Sequence, residues 1–473
     1  MATISSALSL IASALEADQS ALNIVANNVA NSNTVGYARQ VPNWQENKPA
    51  DIVGVAYGTG VTQTGPTSVR DRVLEERLVQ QQQAAAASSS RLSALDLVQA
   101  LFAPDSGAPG STAGDLGSDI TKFFSSFASL EANPTDNSLR QQVLSTASTL
   151  AGDVSNAAAS LNAQRASLDQ EAAGITSQVN SLTAAIAKLN EQIQSVSPDD
   201  DAGTLEDERQ LDLGKLSQLI GINQVATENN GLSITTTSGE FLLSEGSSFA
   251  LTVGTVGSDT HFFLGTKDVT SELTQGGGEL GGLLTVRDQD IPTVLSSLDE
   301  LAFHVSDSVN QQNYSGTDLN GASGTGANPH YIFKQPTMVA GSAAAMSVVM
   351  TDPSEIAAAG SGKGIGDNSN AGILAGLAAQ LIVRGKTPSS FYSDFVTRLG
   401  STIARAEIEN TAQNASVTQL QTRRDALSSV NLNDEAALMQ QIECSYQAAS
   451  KVFTMLNSIM ASALNLGVET AVS

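Results

Sequence analysis

The sequence predicts a mainly α protein with a β-rich insertion. N- and C-terminal heptad helices pair, a long antiparallel helical bundle forms the body, and a β domain lies outside it. Three observations carry this. Apolar residues recur at heptad spacing in both ends of the chain. Between them Val154, Leu161, Leu168, Ile175, Leu182, Leu189 and Val196 stand seven residues apart, a period that a long packed helix sustains. Near residue 222 the composition switches to short Val-, Thr-, Ile- and Phe-rich runs separated by Asn-Gly, Ser-Gly and Gly-Ser, the pattern of consecutive hairpins.

The N-terminal helix is marked by Ile4, Leu8, Ile11, Leu15, Leu22, Val25 and Val29, a series broken only at Asp18. It has almost no charge, so it lacks the flanking ion pairs of a free-standing coiled coil and is marginal alone. Helices follow at 70–101 and 116–131, with a Gly/Pro-rich loop at 102–115 between them. The longest helix then runs to a stop at 197–204. After the hairpins a helix at about 286–313 interrupts the insertion, and 314–365 returns to Gly/Ser/Thr/Asn loops with room for strands. A further helix covers 385–428. The last, within 430–467, has one column at Leu432, Met439, Tyr446, Phe453 and Met460 and a second at Ile442, Ala449, Leu456 and Ala463. Asn431 reads as its N-cap, with Asp434 and Glu435 complementing the helix dipole.

The domain plan that results has residues 1–40 with 430–473 as a terminal coiled-coil domain. Residues 41–222 with 366–429 form a helical rod, beside which the 286–313 helix packs, and 223–365 is the outer insertion. Apolar seams at both termini, where chains are usually polar and frayed, imply that the ends meet each other or their copies. Without those partners they are expected to be disordered or weakly helical.

Composition narrows function. Aromatics are 4% and charged residues 15% of the 473 residues, so the cores are built from Ala, Leu, Ile and Val and not as an aromatic-lined pocket. The net charge of −25 and the absence of a basic run exclude nucleic-acid binding and disfavour anionic membrane. No apolar run reaches the ~20 residues of a membrane span. Residues 4–15 lack the positive region of a signal peptide, since the first basic residue is Arg39. Cys444, the single cysteine, excludes an intramolecular disulfide and cysteine-based zinc sites. On the terminal heptad helix it reads as a small buried residue.

Catalytic chemistry is not apparent. His261, His304 and His330 are scattered and form no metal-binding pattern. The Gly-rich 357–367 segment lacks the residues of a phosphate loop. The acidic cluster of Asp199, Asp200, Asp201, Glu206, Asp207 and Glu208 fails calcium-loop spacing and reads as a solvated loop leading into a helix. No metal or cofactor is expected.

The stretch ALNIVANNVANSNTVGYARQ (21–40) resembles the N-terminal signature of bacterial flagellar axial proteins, in which a helix runs into an Asn-rich A-N-N-x-A-N-x-N-T-x-G-Y segment. VNLNDEAALMQQIECSYQAASKVFTMLNSIMASALNLG (430–467) resembles the matching C-terminal signature, although Cys444 and Ser445 stand where the family usually has Gln and Ala. GYARQ is similar to the G-Y-S-R-Q of the hook–filament junction branch. Residues 205–222 and 277–321 also resemble that branch. The middle is shorter than in its largest members, so an extra outer domain is expected to be missing.

The resemblance implies a non-enzymatic structural subunit of the flagellum, extracellular at the hook–filament junction and exported without a cleaved signal through the flagellar type III channel. Its implied partners are copies of itself, hook protein, a second junction protein, and an export chaperone at the C-terminal helix. The assembly interface would use Leu8, Ile11, Leu15 and Leu22 on the first helix and Met439, Ile442, Tyr446, Phe453 and Leu456 on the last. Asn27, Asn28, Asn31 and Asn33, with Gly36 turning the chain and Tyr37 packing, would form a loop touching the adjacent subunit. A simple capped loop is the plainer alternative. The rival readings are a filament or hook subunit, an enzyme housed in 223–365, and a secreted coiled-coil effector or adhesin.

Overall fold

The computed structural model describes residues 2–52, 55–102, 116–196, 201–257 and 259–469. Helix α1 (Ala2–Ala30) runs through Asn23, Asn27 and Asn28 before it ends, so the first half of the Asn-rich stretch is helix and only 31–39 is loop. Asn31 closes it, its Nδ2 donating to the Asn27 carbonyl at 3.1 Å. Two antiparallel pairs follow: β1 (Gln40–Glu46) with β4 (Val61–Ser68), and β2 (Ala50–Ile52) with β3 (Val55–Tyr57). Both β1 and β4 pack on α1. The first part of the expected 41–222 rod segment, up to Ser68, is thus strand ribbon and not helix. Pro42 and Pro66 face each other in the ladder. Proline suits such a two-stranded ribbon, where both strands are edges, and would stop a helix.

Asp71 caps α2 (Arg72–Ala100) by accepting from the Val73 and Leu74 amides. Helix α3 (Leu116–Ala132) ends at the Asn133-Pro134 turn. Asp136 then starts α4 (Asn137–Val196) by accepting from the Ser138 and Leu139 amides. Its 60 residues span about 90 Å, beginning more than four turns before the heptad series announces it. Helix α5 (Thr204–Leu219) returns along α4. The first half of the expected stop of α4, 197–200, lies outside the described residues, as does most of the 102–115 loop.

A meander of β5 (Ile222–Ala226), β6 (Leu232–Thr236), β7 (Phe241–Ser244) and β8 (Ser247–Ser248) comes next, then a second sheet of β9 (Leu251–Val256), β10 (Asp259–Leu264) and β11 (Lys267–Asp268). Regular strand structure in the insertion stops at Asp268. The chain then forms α6 (Thr270–Gly276), α7 (Gly278–Thr285), a π-helical turn at Val286–Asp290 and α8 (Ile291–Ser315). Residues 316–368 are mainly irregular, with short α9 (Ser342–Ala345) and isolated bridges Thr317–Ala359 and Phe333–Val348. Helices α10 (Ser369–Gly376), α11 (Pro388–Ser428) and α12 (Leu432–Glu469) complete the chain.

One continuous apolar core joins α2, α3, α4, α5, α7, α8 and α11 with the inner faces of the sheets. Helices α2 and α7 cross closely. A Cβ at Gly282 would stand 2.3 Å from the Ala87 carbonyl, so only glycine fits there. Helices α1 and α12 pack together apart from this core, around a small cluster of Ala21, Val25 and Ile442 flanked by Leu22, Leu438 and Met439.

Side-chain amides fasten the non-helical segments to the helices. Asn28 of α1 donates to the Gln40 carbonyl at 2.7 Å and accepts from the Gln40 amide at 2.9 Å. Gln83 of α2 treats Ile222 the same way (2.8 and 3.2 Å), Asn180 of α4 treats Leu251 so (2.8 and 2.8 Å), and Asn310 of α8 treats Phe333 so (2.8 and 3.0 Å). A carboxamide offers a donor and an acceptor side by side. It can therefore satisfy both halves of a buried peptide on an edge that no strand covers, groups that are costly to leave unpaired.

Candidate functional site

The feature most open to a functional reading is the elbow where α1 and α12 join the helical body, together with the outer surface of those two helices. Asn28 sits at its centre, fully buried. Besides the Gln40 peptide it donates to Glu435 Oε2 at 3.0 Å and accepts from the Tyr37 hydroxyl at 2.8 Å. All four of its hydrogen-bonding positions are filled. Glu435, also fully buried, takes the Arg39 Nε on its other oxygen at 2.6 Å. The sequence assigns Glu435 to the helix dipole. The structure makes it a buried ion-pair partner of a residue 396 positions away.

A second set of charges lies alongside. Arg70 is enclosed by Glu75 (3.6 Å), Glu206 (2.8 Å) and Asp207. Asp207 also accepts from the Ala38 amide at 3.2 Å. Glu206 and Asp207 are therefore buried clamps and not the solvated acids that their run suggests, while Asp199 and Asp200 lie outside the described residues. Burial pushes the Asp207 and Glu75 carboxyls up, with Arg70 opposing. Burial, then the charges of Asp207 and Glu435, push the Tyr37 phenol to about 12. It stays a neutral donor at neutral pH.

The backbone adds three further ties. Arg39 N–H bonds the Ser428 carbonyl at 2.8 Å, Val69 N–H bonds the Arg39 carbonyl at 2.7 Å, and Arg424 Nη2 bonds the Gly36 carbonyl at 2.9 Å. Gly36 has φ +87°, a conformation that side chains disfavour. It turns the chain between Tyr37 and the end of α1.

The expected interface residues lie as follows. Asn28 and Tyr37 are buried and hydrogen-bonded within the chain. Asn27 and Asn31 bond each other at 2.8 Å, and Asn33 is exposed. Leu8, Ile11, Leu15 and Leu22 are half-buried along α1. On α12, Ile442 is buried, Met439, Phe453 and Leu456 are half-buried and Tyr446 is exposed. Cys444 is exposed, contrary to the expectation of burial, because α12 is covered on one side only. Sequence reasoning missed Arg39, Arg70, Gln40 and Asp207. The signal was there in part: Arg39 is the first basic residue of the chain and directly follows the Asn-rich motif.

Beside its seam with α1, about a quarter of the way round the helix, α12 exposes Val452, Met455 and Ile459 (43, 62 and 47%). With Ala448 before them they repeat at four, three and four residues, a second heptad stripe. From Cys444 to Val468 the helix carries one charge, Lys451. Among the described residues no helix is long and apolar enough to cross a membrane, and no group of three or more His, Cys, Asp or Glu is placed to hold a metal.

The chain is similar to known flagellar proteins. A family model described as "Flagellar hook-associated protein FlgK helical domain" matches residues 108–328, and one described as "Flagella basal body rod protein" matches residues 10–37. Flagellar hook-associated protein 1 of Salmonella typhimurium is 24% identical over 568 residues, covering 98% of this chain and 100% of the relative. The protein of that name from Bacillus subtilis is 26% identical over 503 residues, covering 96% of each. The solved structure of the flagellar hook junction protein FlgK from Burkholderia pseudomallei matches with a TM-score of 0.64 at 18% identity, over 75% of this chain and all of that one.

Proposed function

We propose that the chain, a relative of flagellar hook-associated protein 1 along nearly its whole length, is a structural subunit of the flagellum that joins hook to filament and is not an enzyme. Residues 1–40 with 430–473 form its assembly domain. Helices α2 to α5, α7, α8, α10 and α11 form the shell around it, and the sheets of 222–268 lie outermost. The chain leaves the cell through the flagellar export channel without a cleaved signal, with a chaperone on α12. It then sits between hook protein and a second junction protein.

The observation that carries this reading is the second apolar stripe of α12. An isolated helix face of Val452, Met455 and Ile459 in water is an unmade contact, and near-absence of charge leaves it nothing to do but pack against apolar neighbours. Copies that bury it by a non-closing, head-to-tail interface build a helical array. The elbow fixes the angle at which each subunit presents the stripe.

Deleting the gene tests the assignment. The expected result is hooks without filaments and filament protein released into the medium. Filaments of normal length on the deletion strain would overturn the junction role. Loss of the hook itself would point instead to a rod or hook subunit.

A further inference from the structure

We propose that the trough between α8 and α11 is a docking groove for an acidic amphipathic helix of a partner protein. Two adjoining cavities, of about 380 and 760 Å³, share Thr293, Ser297 and Arg398 as walls and form one continuous trough. Its floor is apolar: Leu95, Val294, Phe395 and Leu399 are all buried beneath it. Its α11 rim carries Arg398 and Arg405, both exposed. They stand seven residues apart, two helical turns or about 10.5 Å. Ile408, 71% exposed, continues the same face one turn on.

Charge sets the occupant. The chain as a whole is strongly acidic, yet here its acids are already held. Asp290 is bound by both Arg91 nitrogens at 3.0 and 3.1 Å, Asp288 by Arg287, and Glu300 by Arg384. Arg398 and Arg405 have no carboxylate within ion-pair distance among the described residues. On α11, Asp394 stands one turn before Arg398 and is already held by Lys386, and Glu409 stands one turn after Arg405 but makes no ion pair with it. The trough therefore presents two free cations over an apolar floor. A helix with carboxylates two turns apart on one edge and aliphatic residues beside them complements it. Nucleic acid or anionic lipid fits poorly, because two cations over an apolar floor are not the basic patch that a run of phosphates needs.

A second copy does not supply that edge. Within any one described helix, Glu300 and Asp307 are the one pair of carboxylates seven residues apart. Glu300 is buried and held by Arg384. The occupant is a different protein.

The test uses the full chain and a designed helical peptide with Glu at two positions seven apart and Leu at the third and fourth positions after the first. A twin peptide carries Lys for Glu. Fluorescence anisotropy should show saturable binding of the Glu peptide only, weakening with salt. R398E/R405E should reduce it by roughly tenfold or more with an unchanged thermal melt, and Ile408→Ser should reduce it without changing the salt dependence. Equal binding of the Lys twin, equal binding by R398E/R405E, or no saturable binding to the unaltered chain would each overturn the proposal. So would self-association of the full chain in sedimentation that R398E/R405E abolishes, because the occupant would then be a second copy.

Discussion

The side-chain amide of Asn28 lies against the peptide of Gln40 as a neighbouring strand would, donating to its carbonyl at 2.7 Å and accepting from its amide at 2.9 Å. The same Nδ2 reaches Glu435. One buried side chain thus ties the end of α1, the start of β1 and the first turn of α12.

Asn28→Ala leaves the Gln40 peptide, the Tyr37 hydroxyl and Glu435 each short of a partner. The loss of stability in the elbow is roughly 3 kcal/mol, since each unmet buried group costs about 1–3 kcal/mol. Asn28→Asp is no milder, because a carboxylate there faces Glu435 and the Gln40 carbonyl. Limited proteolysis should cut both variants between Ser428 and Leu432 faster than the parent chain. Cutting at the parent rate would show that Asn28 does not hold the elbow.

Arg70→Met leaves Glu75, Glu206 and Asp207 buried around no cation. Breaking a buried ion cluster in this way costs about 3–5 kcal/mol, so the unfolding free energy from urea titration should fall by that amount and the midpoint should move to lower urea. Adding Glu206→Gln and Asp207→Asn should recover most of the loss, because neutral amides need no counter-charge. A variant that fails to recover would mean that Arg70 matters for its packing and not its charge.

Stability should depend on pH through Asp153. Burial first, then a hydrogen bond and the charge of Asp119, raise its carboxyl from 3.8 to about 6. The folded state therefore holds a proton that the unfolded chain gives up. The contribution is fully present below about pH 4 and is lost as pH rises through about 6. Asp153→Asn should flatten the melting temperature between pH 4 and 7. A slope unchanged in the variant would place its source elsewhere, among candidates such as Glu75 and Asp207, whose carboxyls are also raised.

The terminal helices divide into two halves. Near the elbow, Ala21, Val25 and Ile442 are buried and Glu435 is tied down. Farther out, α12 is mostly exposed and buries too little to offset its ordering entropy. Protease should therefore trim the free subunit to about residues 17–446 and stop there, a larger fragment than loss of both whole helices would leave. Met455→Asp and Ile459→Asp should leave its melting unchanged while preventing filament growth in cells. Normal growth with both substitutions in place would show that the second stripe is not an assembly surface.

Much of the helical plan was legible in residue order, because a helix writes its period locally. The heptad series at 154–196 marks α4, and the paired seams at 4–29 and 432–463 mark α1 and α12. The turn-rich switch near 222 marks the first hairpins. The two ribbons at 40–68 were not legible: their strands are short, broken by Pro42 and Pro66, and too brief for alternation to stand out. Nor was the departure from strand after Asp268, since Gly- and Ser-rich loops and edge strands share a composition.

The sequence by itself determined which residues had to leave water: a seam of aliphatic side chains repeats along one helix and needs no knowledge of its neighbour. It also determined that both ends carry such seams. Only the tertiary structure decided what the polar residues do. Asn28 and Glu435 are separated by 407 positions, and Arg70 and Asp207 by 137. A hydrogen bond or an ion pair depends on distance and direction between two groups that share no local period. The same carboxylate is a solvated surface charge or a buried clamp according to whether the fold brings an arginine to it.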